Sequence, residues 1–408
     1  MTNDVIIIGG GAAGLCAAVY LKQNNKNLNI RILERGLRVG KKLSLTGNGR
    51  CNISNKDISP SRYHGENKDF CENALSKYGL RFTEDFFESI GVPITYEGDK
   101  GYPASLQASS VVDCLRFAAD NLGVITHTDT KVTDIKIEKG NYKVFADKVS
   151  FLARNVIIAC GLYSGGERMG SDGSMLELLK KAGFKTVRTT PAIVQLKTET
   201  DIVKQLKGIK TEALVSLKHN GKTIRTDFGE VLFCDYGLSG PPVLQLSREV
   251  SRKDGDFNIS LDILPSTSLD DLTINLSNRA KKLTYLNLDE FLTGFINKRL
   301  GQVIIKNCGM KLSDSVGVLT YKNISDIAKT LKNFSFKVTG TTGFSNSQVT
   351  AGGLDTTDFD SDTMMCKFSN KLYAIGEILD IDGDCGGFNL QWAWSSAFAA
   401  ADSILEGR

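Results

Sequence analysis

Three glycines and one glutamate lie at regular positions near the N-terminus. Gly9, Gly11 and Gly14 form G-x-G-x-x-G directly after the apolar run Val5 to Ile8, and Glu34 follows 20 residues after Gly14. In this pattern the first glycine allows a tight turn, the second lets the backbone approach a pyrophosphate, and the third lets helix and strand pack closely. The acid accepts hydrogen bonds from ribose hydroxyls and would repel a 2′-phosphate. The stretch therefore predicts a site for FAD or NAD and disfavours NADP.

A second polar stretch, residues 46–52, has the sequence TGNGRCN. Its glycines, carboxamides and guanidinium are suited to wrapping a polar cofactor, although Asn-Gly is also a common turn dipeptide. Arg50 is a candidate catalytic charge partner for anionic flavin or an anionic substrate, with a surface ion pair as the alternative. Cys51 has no histidine base nearby in the sequence, so we expect a small packed residue rather than a nucleophile.

A third unusual stretch, residues 376–394, has the sequence GEILDIDGDCGGFNLQWAW. It indicates a strand end, an acidic and glycine-rich loop, and a helix that begins near Asn389. A helix N-terminus offers N–H donors and partial positive charge, which would stabilise negative charge on a reduced flavin. The aspartates at 380, 382 and 384 imitate calcium-loop spacing, but the later glutamate is missing. We expect no metal site.

The composition is that of a charge-balanced globular chain. Its 408 residues include 50 Lys and Arg against 46 Asp and Glu, for a net charge of +4. This balance argues against nucleic acid or an anionic membrane as a partner. The nine cysteines include no C-x-x-C pair and only three histidines are present, so neither a disulfide framework nor a metal centre is expected. We expect a cytoplasmic protein, monomer or homodimer, that acts on a small molecule.

The order of the elements predicts an α/β fold with a nucleotide-binding sheet built from both ends of the chain. Apolar strand sequences occur at 155–159 and again at 335–338 and 372–375, and short alternating segments over 124–153 suggest a β meander. We predict a discontinuous Rossmann-like domain from residues 1–190 and 336–408. An inserted substrate or cap domain spans 191–335, with β-rich sequence over 191–265 and helical sequence over 266–335.

These motifs, together with GEVLFCDYGLSGPPVLQLS at 229–247 and VTAGGL at 349–354, resemble a family of bacterial NAD(P)/FAD-dependent oxidoreductases. The family includes aminoacetone oxidase-like proteins and a proposed dehydro-bile-acid reductase, and the similarity runs essentially end to end. The resemblance implies non-covalent FAD in a glutathione-reductase-like domain, and an insert with a β-barrel-like unit and a helical unit. The candidate FAD-binding residues are Gly9, Gly11, Ala13, Gly14, Glu34, Arg35, Lys42, Gly49, Arg50, Cys51, Val132, Ala159, Gly161, Gly376, Glu377, Asp384, Gly387, Asn389 and Leu390.

The scarcity of histidine leaves proton transfer to Tyr, Asp, Glu or water. The loop 234–240 is the leading candidate, because its glycines would let it approach a flavin ring. In it, Tyr236 is a candidate acid toward a developing enolate, and Asp235 is a candidate holder of a substrate amine. A purely structural turn is an equally weighted alternative. Tyr163 and Arg168 are second choices.

Three functions remain open from the sequence. The first is NAD(P)H-dependent reduction of an activated C=C bond, in an enone of the steroid or bile-acid kind, by hydride transfer from flavin. The second is oxidation of an amine or amino-ketone such as aminoacetone, with hydrogen peroxide as product. The third is a non-catalytic flavin-binding protein that acts on RNA or as a redox sensor, a class weakened by the absence of a basic–aromatic stripe.

Overall fold

The computed structural model describes residues 2–147 and 149–407, apart from the side chain of Arg168. Its strands are β1 Asn3–Ile8, β2 Ile30–Leu33, β3 Ser54–Asn55, β4 Tyr63–His64, β5 Ile94–Glu97, β6 Lys100–Pro103, β7 Ile125–His127, β8 Val132–Glu138, β9 Asn141–Ala146, β10 Val149–Ile158, β11 Thr186–Ala192, β12 Leu196–Thr198, β13 Lys210–His219, β14 Lys222–Phe233, β15 Gly237–Ser239, β16 Phe257–Asp262, β17 Phe334–Thr341, β18 Val349–Leu354, β19 Leu372–Ala374 and β20 Asp382–Gly383. Its helices are α1 Ala12–Asn24, α2 Thr46–Gly49, α3 Glu72–Lys77, α4 Leu80–Ser89, α5 Ala108–Asn121, α6 Ser174–Lys181, α7 Thr200–Val203, α8 Pro241–Arg252, α9 Leu269–Lys282, α10 Lys298–Asn307, α11 Tyr321–Lys332 and α12 Phe388–Leu405.

The chain divides into two units, Met1–Pro191 with Phe344–Arg408, and Ala192–Gly343. The first unit contains a sheet with the order β7-β2-β1-β10-β9-β8, in which β19 also pairs with β10. The strands β7, β2, β1, β10 and β19 are parallel, which suits the uninterrupted apolar sequence of Val5 to Ile8. The predicted meander is smaller than expected, because β7 pairs with β2 and only β8, β9 and β10 form an antiparallel hairpin series.

Small residues allow α1 and α12 to pack closely against each other in this unit. Helix α1 carries five alanines and glycines in its first seven residues, and α12 is buried along nearly its whole length. A helix that is buried all round needs no single apolar face, so α12 shows none. The indole nitrogen of Trp394 donates to the Ile53 carbonyl at 3.0 Å, which fixes α12 beside the segment that follows residues 46–52.

The second unit has its own hydrophobic core and a closed barrel of six strands, in the order β12-β15-β14-β13-β16-β17. The helices α9, α10 and α11 follow β16 in the chain. One boundary differs from the sequence prediction, which placed residues from 336 onward in the nucleotide-binding domain. Strand β17 instead pairs with β16 and β12, so residues 336–341 belong to the barrel.

Within the described part of the chain, no helix is both long enough and apolar enough to cross a lipid bilayer.

Candidate functional site

The carboxyl edge of the parallel sheet brings together segments that are far apart in the sequence. The Ala159 amide donates to the Ile8 carbonyl at 2.8 Å, and the Ile375 amide donates to the Ile158 carbonyl at 3.0 Å. Open α/β sheets bind their ligands at this edge. The loops that begin here contain the candidate residues Gly9, Ala159, Gly161 and Gly376.

The three glycines of the first motif differ in what a side chain would meet at their positions. Gly9 has a φ of +108°, and a β-carbon there would lie 2.6 Å from the Ala159 carbonyl oxygen. A β-carbon at Gly14 would overlap the Gly9 carbonyl oxygen, so this glycine lets α1 pack on the end of β1. A β-carbon at Gly11 would meet no atom within 4 Å. Since α1 has no side-chain cap at its N-terminus, the open face of Gly11 lies beside free amides, as a phosphate-binding helix requires.

Glu34 is held at the end of β2 by two backbone donors. The Gly10 amide donates to one carboxylate oxygen at 2.8 Å, and the Gly36 amide donates to the other at 2.7 Å. A carboxylate has about four acceptor positions, so two remain for ribose hydroxyls. The Glu34 side chain is therefore oriented before any ligand binds.

Arg35, by contrast, already has a carboxylate partner. It forms an ion pair with Asp172, which Lys131 also approaches at 3.4 Å. Burial raises the pKa of the Asp172 carboxyl, but hydrogen bonds from Arg35 and Ser174 outweigh it and bring the pKa below its ordinary value. Val132, which follows Lys131, is buried at the start of β8. Arg35 and Val132 stay predictions as cofactor contacts.

A compact polar cluster joins four segments of the first unit that are far apart in the sequence. Lys42 contacts both the Ser164 hydroxyl and the Glu377 carboxylate, and Ser164 also donates to Glu377. The Thr350 amide donates to Glu377 at 2.8 Å, and the Thr350 hydroxyl accepts from the Ser164 amide at 3.0 Å. Lys42 and Glu377 were predicted from the sequence, whereas Ser164 and Thr350 were not. The glycine-rich loop after Cys160 and the VTAGGL motif were the available indications of these two residues.

The 46–52 segment is a tight turn rather than a regular helix, because Gly47 and Asn48 have left-handed φ angles of +57° and +55°. It leads into Cys51, which is fully buried with a φ of +60°. Burial raises the pKa of the Cys51 thiol to about 12. The thiol is therefore protonated near neutral pH, as expected for a packed residue and not for a nucleophile.

Arg50 points to the surface of this segment. Its guanidinium pairs with Glu97 and lies over the Tyr102 ring at 4.3 Å from the centroid. Beside it, the Asn52 carbonyl oxygen is buried and has no hydrogen-bond partner among the described residues. A β-carbon at Gly387 would come within 2.7 Å of this oxygen, so Asn52 adjoins the start of α12. The sequence did not single out Asn52 individually.

The N-terminus of α12 offers free backbone donors. Its first residue follows Gly387, which has a φ of +99°, and neither a side-chain cap nor an acid in the first turn neutralises the helix end. The Asn389 carboxamide is used within the loop, because it donates to the Gly383 carbonyl and accepts from the Gly383 amide, both at 2.8 Å. Asn389 and Leu390 therefore offer their backbone amides rather than the Asn389 side chain.

Asp384 is buried and bonded to protein groups. Its carboxylate lies 2.8 Å from the His64 Nε2 atom and 3.6 Å from Arg62. These contacts tie the loop before α12 to β4 and give Asp384 a structural role. Its predicted contact with the cofactor stays a prediction.

The two catalytic candidates of the inserted segment lie in the second unit. Residues 234–237 form the turn between β14 and β15, closed by the Cys234 amide, which donates to the Gly237 carbonyl at 2.8 Å. The Asp235 carboxylate is exposed and pairs with Lys207 at 2.7 Å, which lowers its pKa. Burial, reinforced by Cys234 and Asp235, raises the pKa of Tyr236, so its phenol keeps its proton.

The glycines of this turn have a structural explanation. A β-carbon at Gly237 would collide with the Leu196 carbonyl, and one at Gly240 would collide with the Glu230 carbonyl. Both glycines therefore allow close strand packing in the barrel, which supports the structural alternative for the loop. The catalytic roles of Tyr236 and Asp235 stay predictions.

Of the second-choice residues, only Tyr163 has a described side chain. Its ring packs on Phe344 with centroids 5.2 Å apart, and its hydroxyl donates to Glu177 at 3.4 Å. The Arg168 side chain lies outside the described residues.

The site of the first unit fits FAD. The open face of Gly11 beside the free amides of α1 suits a pyrophosphate, and the spare acceptor positions of Glu34 suit a ribose. The uncapped end of α12 and the unpartnered Asn52 oxygen leave donors and an acceptor for polar groups of the same ligand. The fold and the site define an FAD-dependent oxidoreductase of the Rossmann class.

The chain belongs to the family described as HI0933-like protein Rossmann domain, which it matches over residues 3–403. This membership confirms the predicted family, the FAD-binding fold and the assignment as an FAD-dependent oxidoreductase. The chain is 33% identical to a 3-dehydro-bile acid delta(4,6)-reductase of Clostridium scindens, over 99% of each protein. It is 28% identical to a ribosomal RNA dihydrouridine synthase of Haemophilus influenzae, over 98% of each.

Among solved structures, the chain resembles the 3-ketosteroid-delta4-(5alpha)-dehydrogenase of Rhodococcus jostii, with a TM-score of 0.51 at 15% identity. The match covers 99% of this chain and 96% of that protein. At this identity the likeness supports the fold alone.

Proposed function

We propose that the protein reduces a C=C bond conjugated to a carbonyl group, in an enone of the steroid or bile-acid kind. The observation that carries the proposal is the end-to-end similarity to the Clostridium scindens reductase. NAD(P)H is the proposed electron donor: one NAD(P)H and one proton are consumed, and NAD(P)+ and the saturated carbonyl compound are formed. Bound FAD supplies the hydride-transfer chemistry.

The residues of the first unit hold and orient the cofactor in this proposal. The α1 amides would bind the pyrophosphate, Glu34 would bind the ribose, and the positive end of α12 would stabilise negative charge on a bound flavin. We propose that FAD is held non-covalently, because the sequence has no recognisable cysteine motif for flavin attachment and its three histidines lie outside the cofactor motifs in the sequence. Beside the carboxyl edge of the sheet, the Lys42 ammonium contacts both the Ser164 hydroxyl and the Glu377 carboxylate, so the two charges compensate each other.

The residue that gives a proton to the carbon next to the carbonyl is proposed to be Tyr236. Its phenol is protonated near neutral pH, as a general acid requires, while burial raises its pKa and so makes it a weaker acid than a free tyrosine. Asp235 is the less suitable candidate, since its carboxylate is already paired with Lys207. We also propose a cytoplasmic location, which is favoured by nine cysteines that form no disulfide within the described part of the chain.

A second candidate substrate is uridine within RNA. The Haemophilus influenzae relative, and another from Escherichia coli at 27% identity, are both ribosomal RNA dihydrouridine synthases. The C5=C6 bond of uracil is conjugated to its C4 carbonyl, so its reduction is the same class of reaction as enone reduction. The similarity to these two relatives therefore argues against the expectation that nucleic acid is not a partner of this protein.

The electron donor is tested by anaerobic stopped-flow mixing of the purified protein with NADH and with NADPH. Bleaching of the flavin band at ~450 nm by either nucleotide is expected. If neither nucleotide bleaches it, while an amine such as aminoacetone does and peroxide then forms in air, the oxidase alternative is favoured and the proposal is wrong.

A further inference from the structure

We infer that the helical part of the second unit carries a surface that binds single-stranded RNA. The surface, here called the tyrosine–lysine patch, consists of Lys281, Lys282, Tyr285, Val318, Tyr321 and Lys322. This inference rests on the second candidate substrate above, and it concerns binding rather than turnover.

Backbone contacts bring the two segments of the patch together. The Val316 amide donates to the Leu286 carbonyl at 3.0 Å, and the Ser315 hydroxyl donates to the Thr284 carbonyl at 3.3 Å. The end of α9 and the start of α11 therefore lie next to each other. Lys281 and Lys282 come from the last turn of α9, and Tyr321 and Lys322 from the first turn of α11.

The aromatic and apolar members of the patch are strongly exposed. Tyr285 is 78% exposed, Tyr321 is 74% exposed and Val318 is 63% exposed. Neither tyrosine packs against an aromatic ring within the described chain. An exposed ring offers a face on which a nucleic-acid base can stack, whatever the base.

The charged side chains within the two segments that form the patch are lysines. Residues 281–288 and 315–325 contain three lysines and no Asp or Glu, while the acids Asp289, Glu290, Asp314 and Asp326 lie just outside the two segments. None of the three lysines forms an ion pair with a described residue. Lys322 also lies in the first turn of α11, where a positive charge opposes the helix dipole, so helix stability does not explain its position.

The charge of the whole chain hides a difference between the two units. Residues 192–343 contain 21 Lys and Arg against 16 Asp and Glu, a net charge of +5, while the rest of the chain carries −1. A polyanion is therefore drawn to the second unit. The lysines can contact phosphates, and the exposed tyrosine rings can stack on bases of any sequence. This combination suits a single-stranded nucleic acid better than an apolar protein partner.

The test is fluorescence anisotropy of the FAD-loaded, full-length protein with a labelled oligouridylate of about 12 nucleotides, a length within single-strand site sizes. Three lysine–phosphate contacts give a log–log salt slope of about −2, so affinity should fall about 20-fold between about 50 and 200 mM salt. The double variant Y285A/Y321A should bind at least about tenfold more weakly. The triple variant K281E/K282E/K322E should bind weakly and with a salt slope near zero.

The matched control is K204E/K222E/K337E, which makes the same change in net charge at exposed lysines outside the patch. The control variant should bind the oligouridylate with nearly the affinity of the original protein, because only the long-range electrostatic attraction is reduced. Equal loss in the control and in the patch triple variant would overturn the inference, as would unchanged binding by Y285A/Y321A. If the tyrosine variant instead abolished a dimer seen by sedimentation while RNA binding stayed intact, the patch would be a self-association surface. This experiment measures binding and not turnover. Its result is therefore independent of the test of enone reduction.

Discussion

Replacing Gly11 by alanine should weaken FAD binding without destabilising the apoprotein. The φ and ψ of Gly11 are −83° and −163°, which alanine adopts freely, and its β-carbon would meet no atom within 4 Å. The new methyl group would, however, occupy the space beside the free amides of α1 where we place the pyrophosphate. The substitution therefore tests whether Gly11 is needed to leave space for the ligand or is needed for the fold.

The expected magnitude follows from the hydrogen bonds that are lost. Hydrogen bonds to a charged group contribute about 1.5–3 kcal/mol each, so losing two costs about 3–6 kcal/mol. At about 1.4 kcal/mol per factor of ten, the Kd for FAD should rise roughly a hundredfold to ten-thousandfold. The free energy of unfolding of the apoprotein should change by less than about 1 kcal/mol, since the helix cap and chain entropy effects are small and opposed.

Gly14→Ala is the matched control, because it also adds one methyl group to the motif. Its β-carbon would overlap the Gly9 carbonyl oxygen, so overpacking costs of about 1–3 kcal/mol or more should outweigh the gain of about 1 kcal/mol in helix propensity. The assay is FAD titration of apoprotein by calorimetry, with thermal unfolding of each apoprotein alongside. Normal FAD affinity in G11A would refute the placement of the pyrophosphate. Equal destabilisation of both apoproteins would show that Gly11 serves the fold.

Three further predictions concern single side chains. Tyr236→Phe should leave the FAD content intact and slow turnover roughly a hundredfold if Tyr236 is the acid, as measured by substrate-dependent NAD(P)H oxidation; normal turnover would remove it from the mechanism. Cys51→Ala should leave turnover near that of the original protein, because the pKa of the thiol is raised to about 12 and no thiolate forms; inactivation with FAD retained would contradict this. Asp172→Asn should lower the free energy of unfolding by about 1 kcal/mol at pH 7. Because the folded-state pKa of Asp172 is depressed, this difference should be complete above about pH 5 and shrink as the pH falls below about 4, and a constant difference in denaturant titrations from pH 7 to pH 3 would contradict it.

The sequence predicted the parts of the fold whose cause is local. The tight turn at Gly9 and the close packing at Gly14 follow from short-range geometry, and the apolar run of β1 follows from burial on both faces. The end of the inserted unit was misplaced by several residues. Strand β17 alternates buried and exposed residues as many strands do, and its pairing with β16 and β12 depends on residues far away in the chain.

The same distinction applies to the site. Lys42 and Glu377 were predicted, but the Ser164 and Thr350 contacts that join them depend on folding. The glycines of the 234–240 turn suggested approach to a flavin, although two of them are explained by strand packing within the barrel. The whole-chain charge of +4 argued against a nucleic-acid partner. This value is the sum of a basic second unit and a slightly acidic first unit, so it conceals the basic unit.

The central claim is tested most directly by reducing the FAD-loaded protein chemically without oxygen and mixing it with a 3-keto-Δ4 steroid. Conjugated carbonyl substrates should restore the flavin absorbance at ~450 nm within the mixing experiment, and mass spectrometry should find a product that has gained two hydrogen atoms. A saturated ketone of the same skeleton serves as the control and should leave the flavin reduced. If neither the enone nor uridine-containing RNA reoxidised the flavin, while oxygen did so readily after reduction by an amine, the protein would be an oxidase and the account would be contradicted.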